Sequence, residues 1–204
     1  MTIDSDAEKL LAHMDSLGID ASTERTRGWQ SIGAIIVDAA LQRRQNYTRT
    51  VRPRVAALVA AWPDADTTTG FRRRLDSGEL SKTISWRTPG RLTQIDHITR
   101  VLERPDIAID TVHQLRDHLK HPAKRIELRT ALRAVLHVGP KTLDYFDILS
   151  GIPTGVAIDV RIRRVAEAAG INNKSYDHLS AVIREAAHRR GWRPGDLDGT
   201  LWDV

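Results

Sequence analysis

The sequence predicts an all-α protein, and three observations support that class. Nearly every segment places its apolar residues three or four positions apart, as one face of a helix requires. No segment alternates apolar and polar residues in the way that a half-buried strand would. Hydrophobic residues make up 41% of the 204 residues, which is ample for the core of one compact unit or of two small units packed together.

Helices are predicted throughout the N-terminal half. The first runs from Ser5 to Gly18, because Ser5 and Glu8 have the spacing of a capping box and a glycine suits the end of a helix. Apolar stripes bounded by Pro or Gly predict the next helices at residues 29–41, 51–62, 71–76 and 92–102. The stretch between the last two, which contains Trp86, is rich in turn residues.

The C-terminal half continues the helical pattern. Thr111 is the predicted N-cap of a helix that ends at Lys120, before His121-Pro122. Further helices are predicted at residues 123–135, 140–149, 160–169 and 180–188, and a short segment without an assigned helix follows. Most of the tryptophans are expected in the core, namely Trp29, Trp62, Trp192 and Trp202.

The charge balance is mildly basic, with 31 Lys and Arg against 26 Asp and Glu and a formal net charge of +5. The arginines also cluster, in Arg43-Arg44, Arg72-Arg73-Arg74, Arg163-Arg164 and Arg189-Arg190. Such clusters suit contacts with the phosphates of a polyanion, although a solvated helix face is the alternative for each of them.

The composition excludes several classes of protein. The chain has no cysteine, which rules out disulfides, thiolate metal sites and iron–sulfur clusters. No carboxylate joins His113, His118 and His121 at a ligand spacing, so we predict no metal site and expect these histidines on the surface. No stretch approaches the ~18 apolar residues of a membrane span, and the acidic residues of the N-terminal segment argue against a signal peptide. We therefore expect a cytoplasmic protein, associated with the nucleoid if it is bacterial.

The run Leu136-His137-Val138-Gly139-Pro140 predicts a tight hairpin that opens a helix. Gly139 permits a backbone conformation or a close approach that a side chain would obstruct, and Pro140 suits the first turn of a helix. The amides of such a turn form a phosphate site. Lys141 stands in that turn, where a positive neighbourhood lowers the pKa of an ammonium group and favours the neutral amine that can attack a sugar C1′. A phosphate contact is the alternative role for this lysine.

Asp159 precedes an amphipathic helix that turns Ile162 and Val165 inward, so we expect it at or near the N-cap. An N-cap aspartate taken alone is a structural residue. Together with Lys141 it becomes a candidate catalytic carboxylate, because an amine and a carboxylate held by two successive helix starts can cut a base from DNA.

Two runs carry a resemblance to the helix-hairpin-helix DNA glycosylase superfamily, and within it to the endonuclease III-like enzymes: Val138-Gly139-Pro140-Lys141-Thr142, and Ala157-Ile158-Asp159-Val160-Arg161-Ile162-Arg163-Arg164-Val165. In that family a hairpin of the type Leu-Pro-Gly-Val-Gly-x-Lys-Thr precedes a Val-Asp-x-His-Val-x-Arg-Val run. The resemblance makes Lys141 the Schiff-base lysine of the bifunctional members and Asp159 their catalytic aspartate.

The resemblance is strongest over residues 123–170 and looser elsewhere. Ala40-Leu41-Gln42-Arg43-Arg44 is similar to the family's Leu-x-Gln-x-Thr segment, whose glutamine fills the gap left by a flipped base. The segment from Trp192 to Trp202 is similar to the Leu-Asp-x-x-Leu-Trp tail of relatives that lack the cluster.

Three departures from the family pattern stand out. His137 occupies the position of the first hairpin glycine, and histidine tolerates a positive φ better than most residues. Arg161 occupies the position of the family's histidine. The four-cysteine loop of the iron–sulfur cluster is missing altogether.

The resemblance implies two helical subdomains with a DNA-binding cleft between them. One would be a barrel-like subdomain of residues 25–152 that ends in the helix-hairpin-helix, and the other would join residues 1–24 with 153–204. The implied DNA-binding residues are Gln42, Arg43, Arg44, His137, Val138, Gly139, Thr142 and Arg161. Tyr47, Trp86 and Asp144 are candidates for the base pocket. Asp144, about one turn beyond Lys141, is also a candidate partner of that lysine, and solvent exposure is the alternative for Asp144 and Asp147.

The function implied is that of a bifunctional DNA glycosylase and AP lyase of base excision repair. It would flip out a modified base, a pyrimidine first and an oxidised purine second, and excise it through a lysine Schiff base. We expect a monomer without a cofactor, acting on double-stranded DNA that contains a damaged or modified base. The alternatives are a monofunctional glycosylase, in which Lys141 only contacts DNA, and a non-catalytic DNA-binding module.

Overall fold

The structure is a computed structural model that describes residues 2–25 and 27–204. Every regular element within these residues is helical, so the predicted all-α class is confirmed. Of the helices in this part of the chain, none combines the length with the apolar character needed to cross a bilayer.

The described residues form twelve α-helices: α1 Ile3–Ser16, α2 Ile32–Leu41, α3 Arg52–Ala61, α4 Thr68–Asp76, α5 Leu80–Thr83, α6 Pro89–Glu103, α7 Val112–Lys120, α8 Pro122–Arg133, α9 Pro140–Leu149, α10 Val160–Ala168, α11 Tyr176–Arg190 and α12 Pro194–Asp203. A π-helical turn, Tyr47–Val51, leads into α3, and a 3-10 turn, Pro63–Asp66, follows it.

The chain divides into two compact units. The terminal unit consists of residues 2–25 and 152–204 and contains α1, α10, α11 and α12. Helix α1 packs against α11, and α12 packs against both α10 and α11. Leu10, Met14, Val182 and Leu197 are among the apolar side chains that fill its core.

The inserted unit consists of residues 27–151 and contains α2 to α9. Helix α2 lies at its centre, where it packs against α3, α4, α6 and α9. Every residue of Ile32–Leu41 is buried, because the run is apolar on all faces except for Asp38. A helix of this kind needs neighbours all around it, and the surrounding helices provide them.

The two ends of the inserted unit are joined by backbone contacts. The N–H of Trp29 donates to the carbonyl of Leu149 at 2.9 Å. Gly28 adopts a φ of +101°, and a Cβ at this position would lie 2.4 Å from the same carbonyl oxygen. Only glycine fits both the backbone conformation and the close approach.

Several helix boundaries differ from the predictions. Helix α1 begins earlier, since Thr2 is the N-cap and its hydroxyl accepts from the N–H of Ser5, so the Ser5–Glu8 capping box is wrong. Helix α11 begins at Tyr176 with Ser175 as its N-cap, and α12 is a helix where none was assigned. The predicted limits of α9 and the N-cap at Thr111 are confirmed, and Thr111 also forms a capping box with Gln114.

The prediction for the tryptophans is right only for Trp62, which is buried beside Phe71. Trp29, Trp192 and Trp202 are half-buried. An indole carries a polar N–H that favours a position at the edge of a core, next to an acceptor. Trp29 and Trp202 both donate to carboxylates.

Candidate functional site

Helices α8 and α9 are joined by residues 134–139, which contain the predicted hairpin. His137 has a φ of +69°, so the left-handed conformation expected at this position is confirmed, with histidine in place of glycine. Val138 turns its side chain into the interior, and its N–H donates to the carbonyl of Val135 at 3.1 Å. The turn is therefore closed by its own backbone.

Gly139 does not have the role that the sequence indicated. Its φ of −108° and ψ of 179° are those of extended backbone, which any residue adopts. A Cβ would meet only Nη1 of Arg133, at an ordinary 3.5 Å. The same guanidinium donates to the Val138 carbonyl at 3.3 Å, so Arg133 supports the connection from α8.

Lys141 stands in the first turn of α9, directly after Pro140 at the start of the helix. No side chain caps this turn. The Nζ of Lys141 lies 5.3 Å from the centroid of the Tyr145 ring, one helical turn further on. Both Lys141 and Thr142 are half-buried, so the lysine is held against its own helix but reaches solvent.

Asp144 and Asp147 lie on the buried face of α9, and the alternative of solvent exposure for them is wrong. Asp144 accepts from Arg129 at 2.8 Å, and Asp147 accepts from Arg129 at 3.1 Å and from Arg125. Two arginines of α8 reach across to these carboxylates, which the spacing along α9 alone could not reveal. The pair of helices is thus joined by ionic hydrogen bonds.

Asp147 is the most deeply placed of these groups. Its side chain is fully buried, and burial raises the pKa of the Asp147 carboxyl, an effect that the charges of Arg125 and Arg129 oppose. One of its oxygens, Oδ1, has no hydrogen-bond partner among the described residues. An ionised carboxylate in this position depends on its arginines.

Asp159 is the N-cap of α10, as predicted. Its Oδ1 accepts from the N–H groups of Arg161 at 2.8 Å and Ile162 at 3.1 Å. Its Oδ2 accepts from Nε1 of Trp202 at 3.1 Å. The carboxylate is half-buried, and donors fix the direction of both of its oxygens.

Arg161 also binds the C-terminal helix. Its guanidinium lies 4.2 Å above the Trp202 ring and donates through Nη1 to the Trp202 carbonyl at 2.8 Å. An arginine can stack and donate at the same time, which a histidine at this position would do less well. Asp159, Arg161 and Trp202 form one connected group in the terminal unit.

Gln42 is half-buried at the C-terminal end of α2, and its Nε2 donates to Oδ1 of Asp38 at 2.5 Å. Asp38 is fully buried and also accepts from Trp29 Nε1 at 2.8 Å and the Tyr47 hydroxyl at 3.3 Å. Burial raises the pKa of the Asp38 carboxyl, and its three hydrogen bonds oppose that shift. Burial next to this carboxylate likewise raises the pKa of Tyr47.

Arg43 and Arg44 follow Gln42 and are both exposed. Arg44 adopts a φ of +59°, so the chain turns sharply here. The Arg43 carbonyl accepts from Nη2 of Arg91 at 3.0 Å. Burial and the charge of Arg43 lower the pKa of Arg91. The segment after α2 is thus an exposed cationic turn, and Arg91 binds it through the Arg43 carbonyl.

Trp86 is half-buried, with the Arg54 guanidinium 5.7 Å from its ring centroid. Its Nε1 is buried and has no partner within the described part of the chain. The three residues predicted for a base pocket therefore have different partners: Tyr47 binds Asp38, Trp86 faces Arg54, and Asp144 binds Arg129.

The sequence interpretation missed two contributors, Asp38 and the hydrogen-bonding role of Trp202. Asp38 had a signal, because it is the one ionisable residue in the apolar run Ile32–Leu41, and such a residue needs buried partners. No local sequence signal marks the hydrogen bond of Trp202, because its acceptor lies 43 residues earlier in the chain.

The three histidines considered for a metal have other contacts. His113 faces Asp117 at 3.1 Å, the ring of His118 lies 3.1 Å from the Gln114 carbonyl, and His121 is the N-cap of α8. Over residues 2–25 and 27–204, no group of three or more His, Cys, Asp or Glu side chains is arranged to hold a metal ion.

These features define the class of protein as all-α, divided into two helical units, with Lys141 and Asp159 each at the start of a helix. The chain belongs to the family described as "Domain of unknown function (DUF8548)", whose model matches residues 8–204. No curated protein matches the chain.

Proposed function

We propose that this protein is a bifunctional DNA glycosylase and AP lyase that excises a modified base from double-stranded DNA. Two positions carry the proposal: Lys141 stands in the uncapped first turn of α9, and Asp159 is the N-cap of the next helix along the chain. The two residues belong to different units. Two helical subdomains, with the α8–α9 pair as a helix-hairpin-helix, are part of the proposal.

Lys141 supplies the nucleophile in this scheme. Its neutral amine attacks C1′ of the flipped nucleotide, and the bond between C1′ and the base breaks, with the electron pair leaving on the base. The new C1′–N bond becomes an imine as the sugar ring opens. Loss of a C2′ proton then expels the 3′ phosphate and nicks the strand, and water hydrolyses the imine to release the enzyme.

Asp159 supplies negative charge near the sugar. Its carboxylate stabilises the positive charge that develops as the base departs, and it assists the loss of a proton from Lys141. The three hydrogen bonds to this carboxylate favour one orientation, which is what electrostatic stabilisation of a transition state requires.

The DNA backbone would contact two cationic places in the inserted unit. One is the first turn of α9, whose amide groups point out of the helix start beside Lys141 and Thr142. The other is the exposed turn at Arg43 and Arg44, next to Gln42 as the residue that fills the gap left by the flipped base. A flipped base costs about a few kcal/mol of stacking, which such contacts offset.

Borohydride trapping on a panel of duplexes with modified pyrimidines and oxidised purines tests the proposal. We expect wild-type protein to give a covalent adduct and a nicked strand on at least one lesion, and Lys141→Gln to give neither. Lys124→Gln is a matched control, because Lys124 also stands in the first turn of a helix that begins with proline. If no lesion yields base release or an adduct, the proposal is wrong.

The charge of Asp159 is tested separately with Asp159→Asn, since asparagine is an equally good N-cap. We expect unchanged DNA affinity and a loss of excision of about a hundredfold or more. A variant that loses affinity, stability and excision together would instead indicate a capping role.

The two alternatives give different results in the same assays. Base release by Lys141→Gln without strand nicking would favour a monofunctional glycosylase. Intact DNA binding together with the absence of any excision, by wild type or variants, would favour a non-catalytic DNA-binding module.

A further inference from the structure

We propose that helix α12 positions the carboxylate of Asp159, with Trp202 as the positioning residue, an inference that rests on the proposed function. The sequence pattern marks the Leu197-Asp198-Gly199-Thr200-Leu201-Trp202 segment only by its similarity to a family tail, and it predicts Trp202 in the core. In the structure it forms most of α12, and its contacts lead to Asp159.

Three contacts join α12 to the segment that leads into α10. The N–H of Gly195 donates to the Pro153 carbonyl at 2.8 Å. The N–H of Ala157 donates to Oδ1 of Asp198 at 2.9 Å, and both residues are buried. Nε1 of Trp202 then donates to Oδ2 of Asp159 at 3.1 Å. The three contacts occur in the same order along α12 and along residues 153–159.

The spacing of these contacts follows helical geometry. Gly195, Asp198 and Trp202 stand at positions i, i+3 and i+7, which lie on one face of a helix. Leu197 and Leu201 lie between them and are completely buried in the core of the terminal unit. The core therefore holds α12 in place, and α12 holds the segment that ends at Asp159.

Gly195 allows the close approach at the start of this contact. A Cβ at this position would lie 2.6 Å from the Pro153 carbonyl oxygen, so a larger residue would push α12 away from the segment. At the other end, Arg161 holds Trp202 from two sides, through its stacked guanidinium and its hydrogen bond to the Trp202 carbonyl.

Trp202 orients Oδ2 of Asp159, the carboxylate oxygen that receives no hydrogen bond from the backbone of α10. The backbone of α10 binds Oδ1 of Asp159, and these bonds by themselves do not fix the direction of Oδ2. The indole N–H fixes Oδ2 as well. A small displacement of a reacting or stabilising group can lower a rate by about a hundredfold, so this bond matters for a carboxylate that acts on a sugar.

The main test is Trp202→Phe, which keeps an aromatic ring below Arg161 and removes the indole N–H. On a lesion that wild-type protein excises, we expect the single-turnover excision rate to fall about 10- to 100-fold, with the Kd for the same duplex within about twofold. Trp192→Phe is the matched control, because Trp192 is also half-buried in the terminal unit with an arginine, Arg190, 5.6 Å from its ring centroid. It should excise at the wild-type rate.

A double-mutant cycle separates positioning from general structural support. If Trp202 acts only through the Asp159 carboxylate, Trp202→Phe should lower excision by less than about twofold in an Asp159→Asn background. A purely structural role would instead give the full loss in both backgrounds, which would overturn the inference.

The hydrogen bond itself has a readout that needs no activity. In ¹H–¹⁵N spectra, the indole N–H resonance of Trp202 should move on Asp159→Ala, while that of Trp192 should not. An unmoved Trp202 resonance, or an active wild type with an equally active Trp202→Phe, would overturn the positioning role alone. A wild-type protein that excises nothing would overturn the proposed function, and the role of Trp202 in that reaction with it.

Discussion

Oδ1 of Asp38 accepts a hydrogen bond from Nε2 of Gln42 at 2.5 Å. A carboxylate is only an acceptor, so this bond requires the amide nitrogen of Gln42 to face Asp38 and its carbonyl oxygen to face away. The fully buried carboxylate of Asp38 thus orients the side-chain amide of Gln42, a residue that we expect to contact DNA.

Asp38→Asn should change how stability depends on pH. Burial raises the pKa of Asp38 above its usual 3.8, so the folded state binds more protons than the unfolded state just above that pH. The contribution of this group to the free energy of unfolding is therefore largest at low pH, and it falls as the pH rises through the raised value. Urea unfolding from pH 4 to 8 should show wild type losing stability relative to Asp38→Asn as the pH rises.

Asp64→Asn provides a control of opposite sign. The hydrogen bond from Arg74 holds the pKa of the Asp64 carboxyl below its usual value, so its contribution is present above the unfolded pKa and is lost as the pH falls. Here wild type should gain relative to the variant as the pH rises toward the usual value of 3.8, so the urea series for this pair extends below about pH 4. The same slope for both variants would contradict the assignment of Asp38 as a destabilising buried charge.

Asp147→Ala should lower the free energy of unfolding by about 2 kcal/mol or more, because it removes the buried carboxylate that Arg125 binds and one of the two carboxylates that Arg129 binds. Glu127→Ala, an exposed change on the same helix as the arginines, should stay within about 0.5 kcal/mol of wild type. Chemical unfolding of the two variants measures both values. Equal stability of the two would mean that the α8–α9 contact does not depend on this carboxylate.

His137→Val should destabilise the protein by about 1–2 kcal/mol, since a β-branched residue is strained at a φ of +69°. His137→Gly should be at least as stable as wild type. Gly139→Ala should be tolerated, because its backbone is extended and a Cβ has room. Thermal melts would rank these variants, and a larger loss at Gly139 than at His137 would contradict the geometry of the connection.

Gly28→Ala should be damaging, by about 1–3 kcal/mol, because the new methyl group would meet the Leu149 carbonyl and the backbone would be strained at a φ of +101°. Gly78→Ala is a matched control, since that glycine also has a positive φ, of +75°, but a methyl group there would meet no described atom within 4 Å. At Gly78 the substitution should introduce only backbone strain. Gly78→Ala should therefore lose less free energy of unfolding than Gly28→Ala, as measured by urea unfolding.

Apolar periodicity was sufficient to predict most helices of this protein, because each of them buries a continuous stripe. Helix α9 and the caps at Thr111 and Asp159 follow from local sequence alone. The N-caps Thr2 and Ser175 were harder to predict. Several Ser and Thr residues near a helix start can serve as the cap, and only the packing decides among them.

The candidate site was harder to predict from sequence, because its groups are oriented by distant partners. Asp144 and Asp147 resemble surface residues until Arg125 and Arg129 are known to lie opposite them. Gly139 was expected to supply a special conformation that the chain in fact adopts two residues earlier, at His137. The positions of Lys141 and Asp159 could be identified from motifs, but not the contacts that hold their side chains.

The division of the terminal unit between the two ends of the chain has a consequence for biosynthesis. Helix α1 is synthesised before the inserted unit, yet its partner α11 follows roughly 160 residues later, a delay of about 10–30 s at ordinary elongation rates. An isolated helix of this length is marginal in water, so the apolar side chains of Leu10 and Met14 stay uncovered throughout that interval. The inserted unit, whose residues are contiguous, can fold during that interval, while the apolar face of α1 has not yet met its partner helix.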